Sequence, residues 1–539
     1  LCQQSPHPAR KTQFHLLCPR YISSLISSNI NPENVLPYTR RPLALITSDT
    51  STPRTFNGAL SSPDKDLWLA SIKRELESMN ALGVWEVIEL DPLLKLVGTT
   101  WVFKIKKDHL GQVTEYKARL CAQGFTQSAG IDFNQTYAPT GRLNSLRTLI
   151  AFAAAKNLDF HQIDIKSAFL NAPLSETVYL GITQGLDIDK RSHCLRLRKA
   201  IYGLKQAPLA WYDRLKTWLV AVGFSSCISD PCVFLRKGEY PVWLYIHVDD
   251  IAIFGRKVQY FKEEVMKEFE IKDVGPADLM LGIKVTHSAH YVSLDQQHFT
   301  ESLLELYGMI NCNSVSTPLV PNEHLSSASI SESTDFGRLK VNFRSAVGSI
   351  NYLSTATRPD LSFADLGLTY PRGINVGILA YSNADWGNCR VSRRSVTGFL
   401  ATVGGSLVLW KTRKQPSVLL STAEAEYKAL CDLTSELLWL GKWCRECNII
   451  KLDNPIPVHE DNQSCINVVK GDCNLNNKRM KHVDIQLHFI KEAISNNFIE
   501  LRYTPTANML AYFLTKSVNR SILTCALNSL GVLRLDHCA

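Results

Sequence analysis

Hydrophobic and polar positions change period repeatedly along this chain, which predicts short strands and amphipathic helices in mixed order. Helical spacing first appears at Leu67, Trp68, Ala70, Ile72, Leu76 and Met79, ahead of a strand-like run from Val84 to Leu90. Over residues 100–107 the apolar Trp101, Phe103 and Ile105 alternate with Val102, Lys104 and Lys106. Asp108 to Gly111 then turn the chain into Tyr116 to Ala122, predicting a hairpin that carries basic residues. A helical composition at Leu146 to Lys156 leads into an alternating strand, Asp159 to Ile165, with Asp164 near its end, and a second helix is expected over Ala207 to Val222. Val242 to Val248 and Ile251 to Phe254 are apolar, β-branched runs joined through Asp249 and Asp250, the pattern of a tight hairpin with carboxylates at its turn.

A polar stretch, Ser314 to Arg338, separates this region from Phe343 to Phe363 and from a second mixed pattern. Strands are expected at Val376 to Ser382, Thr397 to Val403, Ser406 to Trp410, Pro457 to Glu460 and Ile499 to Thr504. Helices are expected at Ala423 to Cys447, Gln463 to Val469 and His482 to Asn496. No repeat is visible, and the non-repeating mixture reads as α+β.

Composition narrows the class. A chain of 539 residues, 45% hydrophobic, excludes a disordered or fibrous protein, and a prior of about 150 residues per unit suggests three or four folding units. The net charge of +9 is compatible with a polyanionic partner and also with an ordinary enzyme. Fifteen cysteines are too sparse for a disulfide scaffold, and the C-x-x-C of Cys444 and Cys447 lacks a second pair at zinc spacing, so the two are expected to pack on a helix in a reducing compartment. The most apolar stretch, Gly398 to Trp410, is too short for a membrane helix. With no signal-like segment either, an intracellular protein without membrane contact, cytoplasmic or nuclear, is expected. Residues 1–54, rich in Ser, Pro, Thr and Asn, read as a disordered linker.

The candidate chemistry is carboxylate-based. Asp is a common turn former, so a plain turn is one reading of Asp249 and Asp250. The other starts from their apolar flanks: neighbouring carboxylates in a low-dielectric setting repel unless protonated or neutralised by a cation, and Mg²⁺ is the hard ion suited to them. Asp164, at the end of another strand, would complete a site for two-metal nucleotidyl transfer, which needs carboxylates from different strands around ions about 3.5–4 Å apart.

Seven ordered strings then carry a resemblance: WVFKIK from Trp101, YKARL from Tyr116, GFTQ from Gly124, QIDIKSAFLN from Gln162, YGLKQAP from Tyr202, VDD from Val248 and LGI from Leu281. Together they resemble the reverse transcriptase of copia-type LTR retrotransposon polyproteins. The likeness continues through YLSTATRPD from Tyr352, then STAEAEY from Ser421 and DNQS from Asp461, which are similar to that family's RNase H module. It covers roughly residues 55–517.

The resemblance implies a right-hand polymerase, with fingers and palm over residues 55–310, a linker and truncated connection over 311–373, an α/β RNase H-like domain over 374–516, and a tail over 517–539. It implies that Asp164, Asp249 and Asp250 bind two Mg²⁺ ions, with Mn²⁺ as a substitute, and that RNA or DNA template-primer and dNTPs are the partners. Phe169 falls where the family has the aromatic that stacks under the incoming sugar and excludes a 2′-OH, although the residues alone read it as core. Gln206 matches the residue that touches nucleotide and template. Lys106, Lys107, Lys117 and Arg119 lie on the hairpin that would grip triphosphate and template, with a solvated face as the alternative. Gly282 matches the turn that supports the primer end.

The chain also departs from the family pattern. His247 stands where the family has Tyr, Leu209 where it usually has Arg, and Ala172 where it usually has Gly. The RNase H positions read Asn383, Glu426, Asp461 and Tyr512, so two of the four carboxylates are replaced, with Asp385 two residues away as a conceivable substitute. An amide lacks the charge to bridge two cations, and an inactive nuclease is expected. Between Phe363 and Ile374 some tens of residues are missing relative to the family, including a basic segment, which predicts weaker duplex holding. Basic clusters remain at Arg390, Arg393 and Arg394, at Lys411, Arg413 and Lys414, and at Lys478, Arg479 and Lys481. The Leu1 start reads as a polyprotein cut short. The rival expectation is a decayed element product that binds nucleic acid without catalysis.

Overall fold

The alternation over residues 99–122 becomes a two-stranded hairpin, Thr99–Lys107 against Val113–Ala122. Its apolar face is closed by the helix Lys65–Ala81, whose Trp68 stands edge-on to Phe103 at 5.1 Å and to Tyr116 at 4.8 Å. Because side chains alternate across a strand, the cross-strand pairs Val102 with Arg119, Lys104 with Lys117 and Lys106 with Glu115 share the other face. One face therefore packs and the other gathers charge.

The computed structural model describes residues 52–107, 112–313, 342–361, 366–471 and 481–534, with isolated positions between 314 and 341. Nearly all of the linker expected over 1–54, and Lys478 and Arg479, lie outside the described residues. The side chains of Lys107 and Lys481 lie outside them as well. Thr52–Ala539 form one compact unit.

Beside the hairpin lie a four-stranded sheet, Trp85–Glu89, His193–Leu197, Tyr179–Leu180, Leu96–Val97, and three larger ones. An antiparallel six-stranded sheet has the order Ile271–Pro276, Asp159–Ile165, Asp250–Gly255, Val242–His247, Val233–Arg236, Ser225–Ser226. A five-stranded sheet runs Leu279–Met280, Ile283–His287, Tyr291–Asp295, Leu366–Pro371, Val532–Arg534. A second one runs Ser406–Lys414, Val396–Val403, Ile378–Asp385, Ile456–Glu460, Ile499–Tyr503, with its last two strands joined in parallel. Helices cover these layers, so the content is mixed α/β.

Ordered elements extend into two of the expected segments. Within 311–373, expected as linker and truncated connection, Leu366–Pro371 is an interior strand, paired on one side with Tyr291–Asp295 and on the other with Val532–Arg534. The described part of the expected tail, up to residue 534, is ordered into the core. Asn519 caps the helix Arg520–Ser529, and Leu523, Leu527, Leu530 and Val532 enter the core. Gly531, at φ +70°, makes the return turn, and a Cβ there would meet the Thr369 carbonyl oxygen at 2.9 Å. Leu366–Pro371, paired on both edges and buried, carries no alternation to read, and Val532–Arg534, a three-residue edge strand, is too short to show a period.

The two mixed patterns also share a core. The helix Leu143–Ala155, buried along nearly its whole length, packs on Asp250–Gly255 and on Leu366–Pro371 and Ser406–Lys414. At this seam Trp243 Nε1 donates to the Cys447 carbonyl oxygen at 2.7 Å, and Ser229 donates through N and Oγ to the Glu446 carboxylate at 2.9 and 3.0 Å. Cys444 and Cys447 are buried at the end of the helix Thr422–Glu446, and Cys447 Sγ lies 2.6 Å from Cys227 Sγ. Contact with Cys227, then burial, hold the Cys447 thiol protonated, so oxidation is expected to be slow at neutral pH and faster in alkali. Diamide treatment should join Cys227 to Cys447, read as a faster band on a non-reducing gel that Cys227→Ser abolishes. An unchanged gel after prolonged alkaline oxidation would show that the two sulfurs do not meet.

Candidate functional site

The hairpin Val242–His247 and Asp250–Gly255 pairs His247 with Asp250, which leaves Val248 and Asp249 as a two-residue turn. The sequence reading placed both aspartates in the turn; the register shifts this by one and makes Asp250 the first residue of the return strand. The shift matters because it sets Asp250 directly across from Asp164 on the neighbouring strand, so both carboxylates share one face of the sheet. Val248 has φ +61°, a conformation that costs a β-branched residue about 1–3 kcal/mol. Two hydrogen bonds hold the strained turn: Trp211 Nε1 donates to the Val248 carbonyl at 2.6 Å, and the Ile165 amide donates to the Asp249 carbonyl at 2.9 Å. Trp211 comes from the helix Ala207–Ala221, so that helix fixes where Asp249 points.

Burial, then the charges of Asp249 and Asp250, push the Asp164 carboxyl up. Asp250 is raised by burial as well, against the pull of Gln162 Nε2, which donates to its Oδ1 at 3.0 Å. Lys117 on the basic hairpin lies near enough to lower Asp164, and burial lowers Lys117 itself. Such a set of hard oxygen donors, crowded and partly desolvated, suits Mg²⁺. Among the described residues, however, the one set of three potential ligands whose atoms all lie within 4.8 Å of one another is Glu426, Glu460 and Asp461.

The other expected residues divide. Phe169 is half-buried, and its ring meets Tyr202 edge-on at 5.1 Å, while the Arg119 guanidinium lies 5.0 Å from the same Tyr202 ring. These three bring the start of the helix region, the hairpin and the turn after Asp164 together. Lys106 is held by Glu115 at 2.6 Å and so faces its own hairpin. Gln206 is tied into the fold. It is buried, its Oε1 accepts from Gln127 Nε2 at 3.0 Å, and its Nε2 donates to the Asp132 carbonyl at 2.8 Å. Each end of its amide makes one internal bond, so Gln206 ties Gln127 and Asp132 to the start of the helix Ala207–Ala221. Gly282 has φ +74°, and a Cβ there would meet Tyr352 Oη at 3.0 Å, a close approach that a small residue permits. His247 leaves a buried Nδ1 without a partner. Gln162, Tyr202 and Trp211 were within or beside the quoted strings, yet their roles depend on contacts no spacing reveals.

In the second five-stranded sheet, Asn383 and Asp461 converge, with Asn383 Nδ2 3.5 Å from Asp461 Oδ2. Thr515 Oγ1 donates to Asn383 Oδ1 at 2.7 Å, and Thr506 Oγ1 donates to Asp461 Oδ2 at 2.8 Å. Tyr512 lies on a short 3-10 helix, its ring 4.9 Å from Lys516 Nζ. Asp385 pairs with Lys516 at 3.5 Å. Sequence reasoning missed Glu460, which ends the strand Ile456–Glu460 fully buried. Strand alternation was the available signal, for Ile456, Val458 and Glu460 fall on one face.

Burial pushes the Glu460 carboxyl up to about 8, with Asp461 adding to the rise, and Glu426 is raised by burial and then by Glu460 and Asp461. The sign follows from proton counting. Between the ordinary value of 4.5 and about 8 the folded chain keeps a proton that the unfolded chain has released, so stability falls as pH rises through that window and levels off above it. A proton held across one pH unit is worth about 1.4 kcal/mol, so the loss amounts to several kcal/mol at most. In EDTA, denaturant titrations at about pH 5 and about pH 9 are expected to differ less for Glu460→Gln than for the natural chain. Equal differences would contradict the buried carboxyl.

Among the described residues, no helix is long and apolar enough to cross a membrane. Residues 82–321 match the family model described as reverse transcriptase (RNA-dependent DNA polymerase). The retrovirus-related Pol polyprotein from transposon TNT 1-94 of Nicotiana tabacum is 31% identical over 88% of this chain and 39% of its own length. That from transposon RE1 of Arabidopsis thaliana is 29% identical over 93% of this chain and 36% of its own. The chain thus spans well under half the length of these relatives. Among solved structures, a foamy viral protease-reverse transcriptase in complex with double-stranded DNA is 11% identical, with a TM-score of 0.43, over 81% of this chain and 69% of its own. An N-terminal RNase H domain of rv2228c from Mycobacterium tuberculosis, solved as a maltose-binding-protein fusion, is 13% identical with a TM-score of 0.20 over 29% of this chain and 99% of its own. Carrying a reverse transcriptase domain at residues 82–321 and related along most of its length to these polyproteins, the chain belongs to the copia-type retrotransposon Pol family.

Proposed function

We propose that this chain is an RNA-directed DNA polymerase that extends a primer 3′-OH with dNTPs on an RNA or DNA template. In this reading the hairpin 99–122 serves as fingers, the six-stranded sheet as palm, and the second five-stranded sheet as an RNase H-like module. The observation that carries it is the register placing Asp164 across from Asp250, with Asp249 presented by the strained, doubly held turn between strands. Asp164 and Asp249 would hold two magnesium ions, with Asp250 supporting through its bond from Gln162. Those ions supply neutralisation of the phosphate charge and activation of the primer hydroxyl. Lys117 and Arg119, on the charged face of the hairpin, would meet the triphosphate, and the Phe169 ring, braced by Tyr202, would set the floor beneath the sugar.

The RNase H-like module is proposed to be inactive as a nuclease. Asn383 contributes an amide whose oxygen already accepts from Thr515, and Tyr512 contributes a phenol, so two anionic ligands needed to clamp two ions are replaced. The full chain, given labelled primer on an RNA template with Mg²⁺ and dNTPs, is expected to extend the primer, to stop in EDTA, and to leave the RNA strand of a hybrid uncut. Salt-sensitive binding without extension at any Mg²⁺ concentration would replace the polymerase reading with that of a nucleic-acid-binding remnant.

A further inference from the structure

We propose that Trp211 is a positioning residue for the Asp249 carboxylate and acts on it through the Val248 carbonyl. The proposal rests on the polymerase reading and adds to it a residue that touches neither ion nor substrate. Asp249 lies between two rigid peptide planes, so the direction of its side chain is set once both planes are fixed. The plane after it is fixed by the sheet, where the Ile165 amide donates to the Asp249 carbonyl oxygen at 2.9 Å. The plane before it contains the Val248 carbonyl, and there the donor is the Trp211 indole, at 2.6 Å.

The turn depends on that donor. Val248 sits at φ +61°, which β-branched residues rarely adopt, and its side chain is 36% exposed, so packing around it holds the conformation only in part. Trp211 is 1% exposed and braced on two sides. Its helix begins at Gln206, tied to Gln127 and Asp132, and its ring stands edge-on to Phe269 at 5.5 Å. Phe269 leads into the strand Ile271–Pro276, whose Lys272 pairs across from Asp164. One indole therefore meets the approaches to both strands that flank the Asp164 strand, the turn through its N–H and Phe269 through its ring. Phenylalanine at this position would keep a ring and lose the donor, freeing the Val248–Asp249 plane to rotate toward an unstrained φ. That rotation swings the Asp249 carboxylate away from Asp164 and Asp250, and a misplacement of about 1 Å costs on the order of 100-fold in rate.

The test compares the full natural chain with Trp211→Phe and with Trp218→Phe, which alters the packing on the same Phe269, 5.3 Å away, without touching the bond to Val248. Single-nucleotide addition by Trp211→Phe at saturating dNTP is expected to slow about 10–100-fold, with the half-saturating dNTP concentration changed less than about threefold. In EDTA, deuterium uptake at residues 247–250 should rise in the same variant. Trp218→Phe should keep the rate and the uptake of the natural chain. A Trp218→Phe that slows and takes up deuterium as much as Trp211→Phe overturns the proposal. If Trp211→Phe gives no cooperative melt, 3-benzothienylalanine at position 211, which keeps the bicyclic ring and lacks the N–H, is read against the same outcomes. A natural chain that extends no primer overturns the polymerase reading and this proposal with it, whereas one that extends beside an equally fast Trp211→Phe overturns this proposal alone.

Discussion

Replacing Asp249 by alanine is expected to cut primer extension by roughly three orders of magnitude or more without lowering the melting midpoint. The two halves of this expectation have separate causes. On the proposed reading catalysis should collapse, because the turn carries Asp249 beside the Asp164–Asp250 pair and no other acid lies within the turn. Stability should hold because what fixes the turn is backbone: the Val248 and Asp249 carbonyls accept from Trp211 and Ile165 whatever side chain follows. Removing Asp249 also relieves repulsion that now raises Asp164 and Asp250. Extension assays and melting curves run side by side decide the matter, and equal extension by both proteins would remove Asp249 from the chemistry.

Arg147→Met should have the opposite signature, a loss of stability of about 3–5 kcal/mol with Asp164, Asp249 and Asp250 intact. The guanidinium is buried in the helix Leu143–Ala155, where burial pulls its pKa down to about 10. It donates to the carbonyl oxygens of Val408, Thr355 and Ala356, each at 2.8 Å, and to Asn144 Oδ1 at 2.5 Å, and lies 3.9 Å from the Trp410 ring. Methionine fills most of the volume but leaves those three carbonyls, which belong to three positions of the seam, without their donor. Denaturant midpoints measure the loss, and proteolysis should open the chain near residues 355–410 first. A change below about 1 kcal/mol would mean that the seam does not rely on this residue.

Both effects locate what could be read in advance. The hairpin of Trp101, Phe103 and Ile105, the strand that ends at Asp164, the helix from Ala207 and the strands around residues 378–414 were legible because each has one buried and one open face, and alternation survives in such elements. Leu366–Pro371 and Val532–Arg534 were not, because they complete a sheet whose other strands lie some seventy or more residues earlier, and nothing local records such a pairing. Gln206 and Glu460 mark the same limit among site residues. The first lies in a motif yet spends its amide inside the fold, and the second lies outside the family's expected set yet meets two acids.

By itself the sequence determined the carboxylates, their approximate strands, the family and the replacements at residues 383 and 512, because charge, period and motif are written in neighbouring residues. Tertiary structure alone decided which acids face one another, that Val248 rather than Asp250 occupies the turn, and that the two mixed regions close on one core around Arg147. The physical reason is range: side-chain periodicity is set within a few residues, whereas the pairing of Asp164 with Asp250 and the closure around Arg147 depend on partners far apart in the chain.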